Sequence, residues 1–204
     1  MAVVTASKGT KSKRPKSISA RTRLAYHEAG HAVLSAAIGN TPDHVSIRAK
    51  GHTLGRSGAR MSVRPTSRVQ VHLAGFAAEH VLTGRRPRHL HEEIGFGLLA
   101  RLDPELRAAF EHSEDRDGYR AVEEVLNMGV FESDDEIKRE VERFYDIVRE
   151  SLSAAWETVR SVAKALLTHE ELDRDAVDEA LGVGDLYTLV FAVQRRHGVM
   201  PERR

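Results

Sequence analysis

The chain has 204 residues, 41% hydrophobic and 30% charged, with a formal net charge of +1 and no cysteine. That composition suits one globular domain large enough to bury a core. It excludes a disulfide framework and thiolate chemistry, so any metal must be held by His, Asp or Glu.

The charge is unevenly spread. The first 23 residues carry seven Lys or Arg and no acid, which leaves the remainder at −6. Residues 1–19 read as a basic, disordered tail, rich in Lys, Ser and Thr. Such a tail can touch nucleic acid or an acidic partner, but a solvated extension explains the composition more simply, and nucleic acid is not expected as a partner. Residues 20–204 read as the folded domain. Apolar runs such as residues 32–38 are too short to span a bilayer, and no signal-peptide core precedes them. A cytoplasmic protein with no membrane span is expected.

In chain order, a first helix is predicted from near Ser19 to Gly39-Asn40, with Pro42 as a stop signal. Leu24, His27, His31, Leu34 and Ile38 fall on one stripe of it. His44-Val45-Ser46-Ile47-Arg48 alternates as a short strand does. Gly51, Gly55 and Gly58 then punctuate the region up to Met61-Ser62-Val63-Arg64, which predicts a small sheet joined by glycine turns. Pro65 opens a second helix that Gly84 closes, and a basic loop, residues 85–88, follows. Helices are expected over residues 90–102, from Pro104 to near His112, and from Gly118 through Val125. Ser133 and Glu136 form a capping box at the head of one long helix running to about Leu167. A short helix through Leu181 and a last one capped by Asp185 complete a C-terminal helical bundle. The fold class is α+β, mainly α-helical.

The chemistry concentrates in Ala25-Tyr26-His27-Glu28-Ala29-Gly30-His31-Ala32. His27 and His31 stand one helical turn apart on one face, where two imidazoles can hold one metal ion. Glu28 falls beside them. This is the H-E-x-x-H arrangement of zinc peptidases, whose glutamate is the general base for a metal-bound water. The uncharged flanks suit a helix buried against a core. Gly30, which costs roughly 1 kcal/mol against alanine in mid-helix, suits a close approach by something else. A catalytic zinc usually takes a third protein ligand. His72, Glu79, His80, His89, His91, Glu92, Glu93, His112, Glu114, Asp115 and Asp117 are all candidates, and spacing does not choose among them.

Several segments, in order, resemble the peptidase domain of FtsH, the membrane-bound AAA+ zinc protease. Residues 25–32 are close to that family's motif helix. Val45-Ser46-Ile47, Gly51 and Leu54-Gly55 resemble its edge strand and the Leu-Gly after it. Leu73-Ala74-Gly75-Phe76-Ala77-Ala78-Glu79 resembles its Leu-Gly-Gly-Arg-Ala-Ala-Glu helix. Asp117-Gly118-Tyr119-Arg120-Ala121 resembles its Asp-Leu-Glu-Arg-Ala, whose aspartate is the third zinc ligand. The similarity covers about residues 20–181. Phe76 stands where the family has arginine, and the Thr-Gly-Ala before the aspartate is missing. The stretch between Gly84 and Asp117 is longer by roughly twenty residues. These 204 residues include neither the ATPase module nor transmembrane segments.

The resemblance implies a zincin-like metallopeptidase domain with Zn²⁺ held by His27, His31 and Asp117 and with Glu28 as general base; Glu79 is expected to be a buried, supporting carboxylate rather than a ligand. It implies an ATP-independent endopeptidase acting on flexible or unfolded polypeptides, or one served by a separate AAA+ unfoldase. FtsH-like domains form hexameric rings, so a homo-oligomer is also implied. A substrate strand is expected to pair with the edge near Val45–Ile47. Two readings from other classes stand beside this one: a zincin-fold scaffold without activity, and a nucleic-acid-associated regulator working through the tail.

Overall fold

A single helix, α1 (Ala20–Ala37), runs through the core of this computed structural model, which describes residues 18–48, 56–58, 64–111, 116–129, 131–182 and 184–199. Side chains at 56–58 and 109–111 are outside the description. Also outside it are the basic tail up to residue 17, Gly51, Leu54-Gly55, residues 61–63, His112, Glu114 and Asp115. Ser19 caps α1, its Oγ accepting from Thr22 N at 3.0 Å, which satisfies one of the orphan donors of the first turn. The predicted single stripe is too narrow a description. From Ala25 to Ala37 the helix is buried nearly all round, because α2 (Pro65–Thr83) covers one side and α7 (Trp156–His169) another.

Contact between α1 and α2 is close because both faces are small. A Cβ at Gly30 would lie 2.5 Å from Ala74 O and 2.8 Å from Ala78 Cβ. Only glycine permits this separation. Pro65 at the start of α2 and left-handed Gly84 after its end (φ 68°) bound the helix as the sequence predicts.

Next come α3 (Arg88–Ala100) and α4 (Pro104–Glu111), then α5 (Asp117–Leu126), which packs on α2 and α3. The long C-terminal helix predicted to run to Leu167 is in fact two, α6 (Asp134–Ala154) and α7, broken at Ala155. Ser151 and Ser153 each turn a hydroxyl back onto the carbonyl four residues earlier, at 2.8 Å, a bond that bends helices. The two halves also have different hosts, α6 on α2 and α7 on α1. The helices α8 (Arg174–Leu181) and α9 (Leu186–Arg196) follow, capped by Asp173 and Asp185. The C-terminal helices thus wrap the N-terminal pair more than they form a bundle of their own.

The sheet has three short strands in the order β2-β1-β3: β1 (His44–Ser46), β2 (Arg56–Gly58) and β3 (Glu171–Asp173). Both pairings are antiparallel, with Val45 opposite Ser57 on one side and Leu172 on the other. The structure adds one strand and changes one expectation. Residues 171–173 form β3, which no sequence pattern pointed to, and Asp173 then caps the short helix α8. The changed expectation is that β1 is the middle strand, not an edge: its hydrogen-bonding groups are taken on both sides, so a substrate strand cannot pair with it. The outer strands among the described residues are β2 and β3. The chain is mainly helical with a small sheet, and no described helix is long and apolar enough to cross a membrane.

Candidate metal centre

Three side chains from two helices meet beside the α1–α2 contact. His27 and His31 point their Nε2 atoms at one carboxylate oxygen, Asp117 Oδ2, at 3.2 and 3.0 Å. Asp117 is the first residue of α5. The donor atoms of the three all lie within 4.8 Å of one another, so the group could hold a metal ion.

The outer nitrogen of each imidazole is held by α2. His31 Nδ1 donates to Val71 O at 2.8 Å and His27 Nδ1 to Glu79 Oε1 at 2.9 Å. With the proton fixed on Nδ1, Nε2 is the atom left for a metal. Between these two partners lies Gly75, where a Cβ would stand 2.3 Å from His27 Nε2 and 2.4–2.5 Å from its ring carbons. The ring occupies the space that any larger residue would fill. Phe76 meets the same imidazole edge-on, with centroids 5.3 Å apart.

In the ion-free protein, burial opposes charge on both histidines. The hydrogen bonds to Asp117 and Glu79 nonetheless hold His27 well above its ordinary pKa, and the Asp117 carboxylate raises His31. Burial likewise opposes ionisation of Asp117, but the two histidines hold it well below the usual carboxylate range. Protons on Nε2 then occupy the positions that a metal would take, so metal uptake must release them. Glu28 is 5% exposed on α1, and its charge contributes to raising both histidines.

The other candidate ligands fall elsewhere or serve other partners. His80 Nδ1 faces the Tyr145 hydroxyl at 3.0 Å. His89 lies 3.8 Å from Glu79 and packs its ring on Phe76, with centroids 5.0 Å apart, and His91 and Glu92 are exposed. His72 touches the far oxygen of Asp117, with Nδ1 3.5 Å from Oδ1. Sequence reasoning did not find the parts played by Val71 O, Gly75 or His72. One signal was available: Val71, Gly75 and Glu79 recur every four residues, which places them on one face of a helix.

Glu93 on α3 accepts from Gly118 N at 2.8 Å and so fixes the start of α5 beside Asp117. Burial pushes its carboxyl up from 4.5 to about 7. A raised carboxyl pKa means that the folded state keeps a proton the unfolded chain has lost, so the contribution to stability falls as pH rises from 4.5 through about 7. Relative to Glu93→Gln, wild type is expected to be equally stable at the acid end and progressively less stable toward neutrality. Urea unfolding of chelator-treated protein across that range would show it, and a pH-independent gap between the two would refute it.

No protein-family model matches the chain, and no curated protein matches it either.

Proposed function

We propose that the chain is a zinc-dependent, FtsH-like endopeptidase with a zincin-type site, cutting flexible or unfolded polypeptides without ATP. The observation that carries this reading is the convergence of Asp117, from α5, on the Nε2 atoms of the H-E-x-x-H pair. The donor set fits the ion. In a tetrahedral zinc site with bonds of roughly 2.0–2.1 Å, neighbouring ligand atoms sit about 3.3 Å apart, and the two nitrogens lie 3.2 and 3.0 Å from the carboxylate oxygen. All three donor atoms lie within 4.8 Å of one another.

His27, His31 and Asp117 would hold the zinc. When bound, the ion supplies Lewis acidity, bringing the pKa of water toward neutrality and stabilising negative charge on a carbonyl oxygen. Glu28 accepts the proton of the attacking water and returns it to the leaving amine. Val71 O and Glu79 keep the two imidazoles in the required tautomer and orientation. The site side chains are only 9–22% exposed, so a substrate must reach them as an extended thread rather than as a folded surface. Strand β2, outermost in the sheet among the described residues, lies beside α1 and would offer backbone groups for such a thread to pair with.

The test is metal analysis of the purified protein together with digestion of an unfolded protein such as casein. About one zinc per chain is expected, with cleavage lost to a chelator and restored by zinc. Asp117→Asn should lower zinc affinity and abolish cleavage. Cleavage indifferent to chelator, or a wild type that takes up no metal, would refute the reading; metal uptake without cleavage of any unfolded substrate would favour an inactive scaffold.

A further inference from the structure

The geometry points to His72 as the positioning residue of the third ligand, holding Asp117 to one-oxygen binding so that a coordination position stays open. This rests on the metal-site reading above. The starting observation is that α2 serves as a template for the whole centre. It supplies the partner of His31 through Val71 O, the partner of His27 through Glu79, and the space for the His27 ring through Gly75. His72 lies on the same helix, next to Val71, and its Nδ1 is 3.5 Å from Asp117 Oδ1. Each of the three proposed ligands therefore faces an orienting group on a single helix.

Asp117 needs such a partner more than the histidines do. It is the first residue of α5, after a residue that makes no side-chain cap, and a carboxylate there can rotate about its own bonds. Its two oxygens have different surroundings. Oδ2 lies between the two imidazole nitrogens, while Oδ1 faces His72. If Oδ1 also swung inward, the carboxylate would take two positions on the ion and close the one that water and substrate need. A donor on Oδ1 prevents that swing. The 3.5 Å separation is long for a hydrogen bond, and a small shift of the carboxylate would shorten it. With His72 14% and Asp117 22% exposed, water competes only partly for the same oxygen.

The experiment compares wild type with His72→Asn and His72→Leu. Asparagine places an amide N–H close to where Nδ1 stands, whereas leucine fills the space without a donor. Zinc affinity is read by competition with a chromophoric chelator, and coordination by the visible absorption of the cobalt(II)-loaded protein. His72→Leu should weaken zinc binding by roughly 10–100-fold and give the weaker cobalt absorption of a higher coordination number. His72→Asn should keep most of the affinity and the wild-type spectrum. Unchanged affinity and spectrum in His72→Leu would make the residue mere packing and overturn the proposal. A cobalt spectrum altered equally in both variants would make His72 a direct ligand and overturn it too. If wild type itself takes up neither zinc nor cobalt, the metal-site reading has failed, and the proposal with it. Circular dichroism identifies a variant that has not folded, and His72→Asn then decides alone, loss of zinc affinity to the level of Asp117→Asn counting against the proposal.

Discussion

Glu28→Gln is expected to leave zinc uptake nearly intact and to lower peptide hydrolysis by about 10²–10⁴-fold. Glutamine keeps the shape of the side chain, so the buried position on α1 should repack without strain. It cannot accept a proton at neutral pH, and that is the one task assigned to Glu28. Metal retention is expected because Glu28 is outside the set of three converging donors. Its negative charge has two opposed effects on uptake. It attracts a cation, and it also favours the protons on His27 and His31 that a cation must displace. Removing it changes both, which leaves a small net effect. Zinc content and kcat measured on the same preparation decide the matter. Turnover at the wild-type level would remove Glu28 from the mechanism, and loss of metal would make it a structural support.

Gly75→Ala should disable the centre without touching a ligand. Alanine is the better helix former by about 1 kcal/mol, so helix propensity alone predicts a slightly more stable protein. The added Cβ, however, would stand 2.3 Å from His27 Nε2. The ring cannot simply turn aside, because Glu79 holds one of its nitrogens and Asp117 faces the other. Overpacking of this kind costs about 1–3 kcal/mol, which corresponds to a fall of roughly 10–100-fold in zinc affinity if the strain falls on His27. Zinc titration alongside thermal unfolding separates the two effects. A variant that is more stable and binds zinc like wild type would show that the ring has room the structure does not reveal.

What the sequence made legible was mostly local. Ser19, Ser133 and Asp185 cap helices, and Pro65 and Gly84 bound one, because a cap needs only its own turn of chain. The His27–His31 pair was readable for the same reason, since four-residue spacing places both on one helix face wherever that helix goes. Gly30 was readable as a point of close approach, though not what approaches it. Spacing was silent on Asp117: a ligand arriving from another helix has no fixed distance in sequence, and only the resemblance pointed to it. The break at Ala155 was hidden because no glycine or proline marks it; it arises from the serine bonds onto the helix carbonyls and from the two hosts, α2 and α1. Strand β3 was missed because three residues are too few to show a period, and β1 was taken for an edge because its second partner lies near the other end of the chain.

That distant partner bears on how the protein folds. Strand β1 pairs with β2 a few residues later, and with β3 only after the chain has travelled through α2 and α7. Three-residue strands gain too little to offset closing so long a loop by themselves. The helices must therefore assemble first and carry residues 171–173 back to residues 44–46, which makes the sheet a late event. Interactions that form after the rate-limiting barrier do not hasten folding; they slow unfolding. On this view the small sheet is a latch, closing only when the helical body is already in place and lengthening the lifetime of the native state.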